Sequence, residues 1–306
     1  MSPSRIVVIG AANLDLISYV PRLPRPGETL HGTEFRMGFG GKGANQAVMA
    51  ARLGAPVTFI TKLGCDTFGD QTLENLRNNH IDTRYVYRTN EASSGVAPIA
   101  VEADGTNAII IVTGANDLLT VDEIEAARPL ISSASLMVCQ LEIPMELTRA
   151  ALRLARKEGI PTLLNPAPAP EELPNDVYRN TDILCPNEEE THRLTGGEAT
   201  DIQQAHESAE VLRSRGAETV VLTLGARGCL VLDETGAEHI PSSSVDVVDT
   251  TGAGDAFVGA MAFHLAQGTA LREAAAKATH IASISVGAHG TQTSFPYPED
   301  LESETQ

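Results

Sequence analysis

The sequence predicts an α/β fold: a doubly wound, mostly parallel central sheet with helices on both faces, plus a small inserted β-sheet that forms a lid. Three observations lead to this prediction. Apolar, β-rich runs alternate along the chain with segments of helical periodicity. Two stretches interrupt that alternation with strand-like runs that have no helical segment between them. The chain has 306 residues, 42% of them hydrophobic, which is enough for one large domain or two modest ones.

The elements of the main sheet follow from the apolar pattern. Strands are expected at Arg5–Gly10, Val57–Leu63, Leu136–Gln140, Thr162–Leu164, Ile183–Cys185 and Thr219–Leu224. Helices are expected at Gly43–Leu53, Met145–Glu158 and Ile202–Arg215. The first helix carries small apolar residues at the i, i+3, i+4, i+7 spacing, from Ala44 to Ala51, and Gly54 is expected to end it.

The two interrupting stretches are expected to form the lid. Residues of about 14–38 carry a proline-rich turn followed by the alternating run Thr29–Met37. Residues of about 94–113 contain two strand-like runs around the turn at Asp104–Gly105. We interpret these segments as a small sheet inserted into the main domain. The last residues, Glu299–Gln306, have the composition of a polar tail.

Composition excludes several classes of function. The net charge of −18 would repel a phosphate backbone, so a general nucleic-acid partner is not expected. No apolar stretch approaches the ~20 residues that cross a bilayer, and the N-terminus lacks the features of a signal peptide. We therefore expect a cytoplasmic protein with no membrane partner. The four cysteines, Cys65, Cys139, Cys185 and Cys229, have no metal-binding spacing and are expected to be buried, reduced thiols.

The first glycine-rich segment spans residues 38–45. Its GxGxxG match lies after a half-polar run instead of a first buried strand, so the context of a dinucleotide fold is absent. A phosphate-binding Walker A loop also fails, because its first glycine would fall on Arg36 and Gly43 replaces the Ser or Thr that follows the lysine. Two interpretations remain: a tight turn that caps the next helix, or backbone that approaches a ligand closely, with Lys42 and Asn45 beside it.

The second glycine-rich segment spans residues 245–255. An apolar strand end, Val245–Val248, is expected to run into a turn of small residues and then a helix. The apolar face of that helix would comprise Ala256, Phe257, Gly259, Ala260 and Phe263. Backbone N–H groups from Gly252 to Asp255 would point out of the helix N-terminus and form an anion hole. Asp255 lies inside it, and the alternative for Asp255 alone is a charge that complements the helix dipole.

Residues 40–47 (GGKGANQA) and 249–255 (DTTGAGD) resemble the two diagnostic segments of the ribokinase family of sugar kinases. Further segments in the expected order are similar too: 13–15, 114–116, 140–142, 165–169, 187–190 and 223–225. The resemblance covers nearly the whole chain and implies a single kinase domain, 1–306. It also implies ATP-dependent phosphorylation of the primary (5-) hydroxyl of D-ribose. The alternatives are 2-deoxyribose, or another sugar or a nucleoside, as the substrate of a kinase of the same family.

The resemblance implies roles for particular residues. Asp255 would be the general base, and Gly252, Ala253 and Gly254 would form the anion hole. The sugar contacts would be Asn13, Asp15, Gly41, Lys42, Asn45, Glu142 and Asp255. Amides and carboxylates suit vicinal hydroxyls, which both donate and accept hydrogen bonds. From the residues alone, Asp15 could instead be a solvated loop acid and Glu142 an acid at a strand end.

The nucleotide and cation sites are implied in the same way. ATP would contact Asn187, Thr223, Gly225, Gly228, Gly254 and Thr279, and Thr279 stands with His280 where relatives often have Asn or His. Glu190 would help to organise Mg²⁺ through water, although Asn187 and Glu190 also form a capping-box pattern. An activating K⁺ would be held by Asp249, Thr251, Ser285, Ala288, Gly290 and Ser294, where the alternative is an ordinary loop.

The composition of the expected lid also indicates how two chains assemble. A small sheet with one apolar face is marginal in water, so two lids are expected to pack together in a homodimer, as the resemblance also implies.

Two functions from other classes fit the sequence less well. A nicotinamide-dependent oxidoreductase leaves Gly252–Asp255 without a role. A catalytically dead sugar-binding regulator would be expected to lose Asp255 or a glycine of the anion hole, and this chain keeps them.

Overall fold

The structure is a computed structural model that describes residues 4–302. The strands, in chain order, are β1 (Ile6–Ile9), β2 (Asn13–Tyr19), β3 (Glu34–Gly40), β4 (Val57–Gly64), β5 (Val86–Thr89), β6 (Gly95–Val101), β7 (Asn107–Ile109), β8 (Leu136–Cys139), β9 (Thr162–Leu164), β10 (Ile183–Leu184), β11 (Thr219–Thr223), β12 (Cys229–Asp233) and β13 (Gly236–Ile240). The helices are α1 (Lys42–Arg52), α2 (Thr67–Asn78), α3 (Val121–Ala126), α4 (Arg128–Ile131), α5 (Met145–Glu158), α6 (Asn175–Arg179), α7 (Glu188–Thr195), α8 (Ile202–Ser214), α9 (Ala253–Ala266), α10 (Leu271–Ser285) and α11 (Pro298–Glu302).

The main sheet is mostly parallel, as predicted. Its strand order is β13-β12-β11-β10-β9-β8-β1-β4-β5. The pairs from β11 through β10, β9, β8, β1 and β4 to β5 are parallel, whereas β12 pairs antiparallel with both β11 and β13. Strand order reverses between β1 and β8, because β1 is followed by β4 on one side and the chain later returns to β8 on the other. In such sheets ligands bind outside the carboxyl ends of the strands at this switch point.

Both faces of the sheet are buried. Along β1, Val7 and Ile9 belong to the hydrophobic cluster on one face, and Ile6 and Val8 belong to the cluster on the other. Side chains alternate between the faces of a strand, so a strand that is apolar at every position must be covered on both sides. The doubly wound α/β architecture is therefore confirmed.

The inserted segments form a separate sheet with the order β3-β2-β6-β7. β2 pairs antiparallel with β3 and parallel with β6, and β6 forms a hairpin with β7 across the predicted turn. The run expected as Thr29–Met37 becomes a strand only from Glu34 and continues to Gly40. Exposed apolar side chains lie on both faces instead of on one. Phe35 pairs opposite Ser18, on the face away from Asp15, whereas Ile109 pairs opposite Ile99 on the same face as Asp15.

Three local predictions were wrong. Val245–Val248 forms no strand and these valines are mostly exposed, because the N–H groups of Val248 and Asp249 both donate to Val286 O instead of entering a sheet ladder. The predicted tail is helical over Pro298–Glu302, and its last residues, 303–306, lie outside the described part of the chain. Cys65 is exposed, whereas the other three cysteines are buried.

Helix α9 is also more buried than expected. Every residue from Asp255 to Ala262 is buried, so the helix is apolar around its whole circumference instead of along one face. It packs between α1 and α10, and this central position fixes its N-terminus against the carboxyl edge of the sheet. Within residues 4–302, none of the helices combines the length and apolar character that crossing a membrane requires.

Candidate active site

The residues proposed for the site lie at the carboxyl ends of successive parallel strands. Asn13 follows β1, Glu142 follows β8, Asn187 follows β10, and Thr223 ends β11. The strands β1, β8, β9, β10 and β11 are neighbours in the sheet, so their carboxyl ends form one continuous edge. α1 and α9 place their N-termini against the same edge, which brings both glycine-rich segments to one site.

The first glycine-rich segment begins α1 through a close backbone approach. Gly41 is the N-cap residue and has φ +84°, a left-handed conformation that favours glycine. A Cβ at Gly41 would lie 2.7–2.8 Å from backbone atoms of Ala11, Ala12 and Asn13. The backbone N–H of Lys42, at the first helical position, donates to Glu142 Oε2 at 2.8 Å. The turn therefore joins α1 to the residues that follow β1 and β8.

Close packing of α9 on α1 positions Asp255. A Cβ at Gly259 would lie 2.6 Å from Met49 Cβ and 2.7 Å from Gln46 O, so only glycine lets the helices meet here. The Asp255 side chain is 6% exposed. Its Oδ2 accepts from Asn45 Nδ2 and its Oδ1 accepts from Gln46 Nε2, each at 2.9 Å. Both carboxylate oxygens are therefore held by amides from consecutive residues of α1.

Three acidic side chains, Asp255, Glu142 and Glu190, act on one lysine in this region. Asp255 is the largest influence that raises the pKa of Lys42; burial opposes this, and Glu142 and Glu190 add to it. Burial raises the pKa of Glu142 and of Glu190, Lys42 opposes the rise in both, and Asp255 adds to it. The lysine is thus held in its cationic form, and the excess of negative charge favours a cationic or hydroxyl-rich ligand over a free anion.

Asp15 is a third acid of this group whose pKa is raised, together with Glu142 and Glu190. Burial raises its pKa to about 7 from 3.8, and the charges of Glu142 and Asp255 contribute. Its carboxylate lies against the first glycine-rich segment, because a Cβ at Gly40 would be 2.5 Å from both Asp15 oxygens. The interpretation of Asp15 as a solvated loop acid is therefore wrong. A buried acid that faces other acids gains from a partner that donates hydrogen bonds.

Asn13 is oriented by a second asparagine. Asn116 is 1% exposed; its Oδ1 accepts from Ala12 N at 3.0 Å, and its Nδ2 donates to Thr113 O and to Asn13 Oδ1, each at 2.9 Å. Because Asn13 Oδ1 accepts this bond, the Asn13 amide is fixed with its nitrogen as the end available for a ligand. Asn116 comes from the short helical turn after the lid, so it links the lid to the sheet edge.

A cavity of about 160 Å³ connects the two glycine-rich segments with the ends of β9, β10 and β11. It is lined by Lys42, Asn165, Cys185, Asn187, Glu190, Thr223, Gly252, Gly254, Asp255 and Val258. Ala253 N–H donates to Thr250 O at 3.2 Å. The following N–H groups of the first turn of α9 have no acceptor within the helix, which makes the turn able to bind an anion. Apart from its chain neighbours and the backbone of its own helix, no heavy atom of the described residues lies within 4 Å of a Cβ placed at Gly254.

Asn187 and Glu190 form the capping box that begins α7. Asn187 Oδ1 accepts from Glu190 N, and Glu190 Oε2 accepts from Asn187 N, each at 2.8 Å. Glu190 is 8% exposed and lines the cavity, so its other oxygen remains for a ligand. Among the described residues, no group of three or more His, Cys, Asp or Glu side chains could hold a metal ion. This arrangement fits Mg²⁺ that arrives with phosphate and keeps its waters, as this ion prefers.

Of the residues proposed for ATP, Asn187, Thr223 and Gly254 line this cavity, and the other three lie on the side of β11 and β12. Gly225 and Gly228 have φ of +54° and +88° in the tight turn between these strands. Gly228 cannot carry a side chain, because a Cβ there would be 2.7 Å from Ser242 N. Thr279 lies on α10 and is 6% exposed. Its Oγ1 donates to Ala275 O and lies 3.5 Å from Cys229 Sγ. The structure places Thr223 in the cavity and Thr279 beside the start of β12.

Two of the residues proposed for the monovalent cation, Thr251 and Gly290, contact Asp249. Its Oδ1 accepts from Thr251 N and its Oδ2 accepts from Gly290 N, each at 2.9 Å. Burial alone would raise its pKa, but these hydrogen bonds outweigh burial and lower it. Ser285 ends α10, and Ser294 N donates to Thr291 O in the loop that also contains Ala288. An ionised carboxylate beside a loop rich in main-chain carbonyls fits a hard cation.

Several neighbours of the site were missed by reasoning from the sequence. Gln46 and Asn165 touch the Asp255 cluster, Asn116 orients Asn13, and Gln292 Nε2 donates to Asn45 Oδ1 at 3.0 Å. Asn165 and Asn116 lie in segments that carried the resemblance, and Gln46 follows Asn45 directly. An amide side chain at the end of a predicted strand, as at Asn165, could have indicated a site residue. Its hydrogen-bond partner Gln46 is 119 positions away, so the contact cannot be predicted from residue spacing.

Comparisons with known proteins identify the family. Residues 3–298 match the pfkB family of carbohydrate kinases. The chain is 48% identical to the ribokinase of Mus musculus over 300 residues, which cover 97% of this chain and 93% of that protein. It is 41% identical to the deoxyribokinase of Salmonella typhi over 296 residues, which cover 97% of each.

A solved structure gives the same result. The ribokinase of Arabidopsis thaliana, complexed with ribose and ATP, has a TM-score of 0.90 and 31% identity, with 99% of this chain and 98% of that chain covered. The sequence resemblance and the fold therefore agree. The chain belongs to the pfkB family of carbohydrate kinases.

Proposed function

We propose that this carbohydrate kinase transfers the γ-phosphoryl group of ATP to the primary 5-hydroxyl of D-ribose. The observation that carries the proposal is the position of Asp255. Its buried carboxylate lies in the first turn of α9 and is gripped by Asn45 and Gln46. The high identity to a ribokinase, and the likeness to a ribokinase structure that holds ribose and ATP, support the choice of substrates.

Asp255 is the general base of this proposal. A carboxylate within hydrogen-bond reach of a hydroxyl can take its proton as the oxygen attacks phosphorus. Gly252, Ala253 and Gly254 form the proposed anion hole at the helix N-terminus, where main-chain N–H groups without an acceptor in the helix face the charge that develops on the transferred group. Because phosphoryl transfer has a loose transition state, positioning and charge stabilisation are the principal contributions of the protein.

The sugar lies on the lid side of Asp255. Asn13 donates from its free amide nitrogen, and Asp15 and Glu142 accept from sugar hydroxyls. Gly41, Lys42 and Asn45 complete the proposed contacts. Raised pKa values at Asp15 and Glu142 support this arrangement, since half-buried acids that face other acids favour neutral hydroxyl donors.

ATP lies on the other side of Asp255. The proposed contacts are Asn187, Thr223, Gly225, Gly228, Gly254 and Thr279. Bound Mg²⁺ would neutralise phosphate charge, with Glu190 holding it through water. An activating K⁺ would be held by Asp249 with Thr251, Ser285, Ala288, Gly290 and Ser294. The contact between Asp249 and Gly290 N supports that set, because it joins the two segments that flank the anion hole.

The assembly and location are also proposals. The lid exposes Phe35 by 60%, Met37 by 52% and Ile109 by 53%. Burying the side chains on one face of this sheet against a second lid would give a homodimer. We also propose that this homodimer acts in the cytoplasm on small molecules. Light scattering at micromolar concentration is expected to give the mass of two chains, and a monomer alone would contradict this assembly.

Phosphorylation of 2-deoxyribose is the second candidate, because the chain is 41% identical to a deoxyribokinase. The two sugars differ at the 2-hydroxyl. A polar group that loses its partner in a buried site costs about 1–3 kcal/mol, a preference of roughly tenfold or more. We expect ribose to have the higher kcat/KM, and Asn13→Leu to narrow or reverse the difference. A wild-type preference for 2-deoxyribose would replace the proposed substrate and leave the mechanism unchanged.

The decisive experiment measures ADP release with a panel of pentoses and nucleosides, for the wild type and Asp255→Asn. The substitution keeps the shape of the side chain but removes the base, so kcat with ribose should fall by about 10²–10⁴-fold while ribose still binds. NAD reduction measured in parallel tests the oxidoreductase alternative. Near-wild-type kcat in Asp255→Asn would exclude Asp255 as the base, and an absence of ADP release with every pentose would exclude the sugar kinase.

A further inference from the structure

Gln46 makes more hydrogen bonds within the site than its neighbours on α1, and the proposed reaction leaves it without a role. Its side chain is 1% exposed. The amide nitrogen donates to Asp255 Oδ1 at 2.9 Å and to Asn165 Oδ1 at 3.1 Å. The amide oxygen accepts from Gln140 Nε2 at 2.5 Å. Both hydrogens of the amide and one lone pair of its oxygen are therefore used.

These partners allow only one orientation of the Gln46 amide. If the group rotated by half a turn, its oxygen would face the oxygens of Asp255 and Asn165, and its nitrogen would face the nitrogen of Gln140. The two hydrogen bonds to Asp255 and Asn165 would then be replaced by contacts between oxygens in a buried site, which is costly whichever way the Gln140 amide faces. The donor that faces Asp255 is thus fixed by residues that do not themselves bond to Asp255.

The residues that fix Gln46 belong to the rigid part of the fold. Gln140 is fully buried directly after β8, and Thr148 Oγ1 donates to its carbonyl. Asn165 follows β9 and donates through Nδ2 to Cys185 O, after β10. Three adjacent strands of the central sheet therefore determine where the Gln46 nitrogen lies. That nitrogen in turn determines where Asp255 Oδ1 lies.

We propose that Gln46 is a positioning residue for the reaction, which transmits the geometry of the central sheet to the carboxylate of Asp255. Asn45 holds Oδ2 from the sugar side, and Gln46 holds Oδ1 from the sheet side. With both oxygens held, the carboxylate cannot rotate about its Cβ–Cγ bond, and one lone pair stays directed at the substrate hydroxyl. This proposal rests on Asp255 being the base, as proposed above.

The effect should appear in kcat and not in KM, because Gln46 lies beneath Asp255 and its bonds are all to the protein. Gln46→Met keeps the length of the side chain and removes its hydrogen bonds. We expect kcat with ribose to fall about 10–100-fold, since misplacing a catalytic group by a fraction of an ångström is costly, with KM for ribose changed by less than about threefold.

A double-mutant cycle with Gln140 distinguishes positioning from general structural support. Gln140→Met leaves both bonds to Asp255 in place but frees the Gln46 amide, so kcat should fall about three- to tenfold. Because Gln140 acts on Asp255 only through Gln46, the double variant should be no slower than Gln46→Met alone. Losses in kcat that multiply in the double variant would overturn the proposal.

Thr181→Val is the matched control. It removes a buried hydrogen bond to Val177 O far from the site, so it should lower the thermal midpoint but leave kcat unchanged. Wild-type kcat in Gln46→Met would overturn the proposal. If Gln46→Met does not fold, Gln140→Met decides the question, and wild-type kcat in that variant would also overturn it. Asp255→Asn, measured in parallel, separates this failure from a failure of the proposed base.

Discussion

The two glycine-rich segments of the site look alike in sequence but use glycine for different reasons. Each begins a helix from a glycine in the left-handed conformation, Gly41 with φ +84° and Gly252 with φ +80°. In the first segment, a Cβ at Gly43 would lie 2.8 Å from both Ala11 O and Gly10 C. In the second, a Cβ at Gly254 would meet no heavy atom of the described residues within 4 Å outside its chain neighbours and the backbone of α9.

The difference shows which segment is built for packing and which for a ligand. At the start of α1, the N–H of Lys42 is already bonded to Glu142, and the glycines let the helix press against the residues after β1. At the start of α9, the backbone beside Gly254 is open to the cavity. Glycine weakens a helix interior, so a glycine with free space around it is retained for something other than packing.

Gly254→Ala tests the open segment and should lower catalysis more than a substitution in the packed segment does. The new methyl would enter the space proposed for the transferred phosphoryl group. Loss of one donor in such a hole costs about 10²–10³-fold in rate, so a partial obstruction should lower kcat about 10–100-fold. Stability to urea should stay within about 0.5 kcal/mol of the wild type, because alanine suits a helix better than glycine. Unchanged kcat would show that the first turn of α9 does not hold the phosphoryl group.

Gly43→Ala tests the packed segment and should have the opposite profile. The added methyl would overlap backbone atoms that cannot move without shifting β1, and overpacking of this kind costs about 1–3 kcal/mol. The midpoint of urea unfolding should fall. Any change in kcat should be smaller than in Gly254→Ala, provided that the assay temperature is well below the thermal midpoint. A stable Gly43→Ala would remove the contrast between the segments.

The features of the fold and the site that the sequence could predict are the local ones. Met145–Glu158 and Thr162–Leu164 were predicted with the bounds that the structure has, because a repeating apolar pattern specifies a helix or a strand from neighbouring residues. The capping box of Asn187 and Glu190 was likewise visible at a spacing of three residues. Such features need no knowledge of distant parts of the chain.

The parts that the sequence could not predict depend on distant contacts. Asn45 and Asp255 are 210 positions apart, and Gln46 and Gln140 are 94 apart, so no local pattern announces these hydrogen bonds. Val245–Val248 failed for the same reason. A run rich in valine fits a strand locally, but here the main chain bonds to Val286 at the end of α10, and within residues 4–302 no strand pairs with this run.

Asp15→Asn tests the acid that lies against the first, packed glycine-rich segment. The folded chain keeps a proton on Asp15 up to about pH 7, whereas the unfolded chain releases it near its ordinary pKa of 3.8. The stability that this raised pKa contributes is therefore fully present below about pH 4 and is lost as the pH rises to about 7. Asp15→Asn should therefore increase the free energy of unfolding of the ligand-free protein more at pH 8 than at pH 5. The difference between the two effects should be about 1–2 kcal/mol after allowance for solvent screening.

Urea unfolding at pH 5 and pH 8 measures this difference. Asp246→Asn is the control, because Asp246 is exposed and its substitution should give the same small effect at both values. Asp15→Asn should also raise KM for ribose if the carboxylate accepts from a sugar hydroxyl. An identical stability change at both pH values would show that Asp15 is not held away from solvent among the other acids.

The response of kcat to K⁺ tests the residues that flank the second, open glycine-rich segment. It is the smallest effect on catalysis that we expect. Asp249 lies before the anion hole and accepts from Gly290 N, so a cation bound there would order the loop of residues 285–294 and the turn that leads into α9. Since its pKa is lowered, Asp249 stays ionised at neutral pH and can hold a cation throughout the working range. With Mg²⁺ fixed, K⁺ should raise kcat about fivefold or more over a tetraalkylammonium buffer. Asp249→Asn should lose that response, whereas Asp246→Asn, three residues earlier and exposed, should keep it. Equal rates of the wild type in the two buffers would mean that the bonds of Asp249 to Thr251 and Gly290 order this turn without an ion.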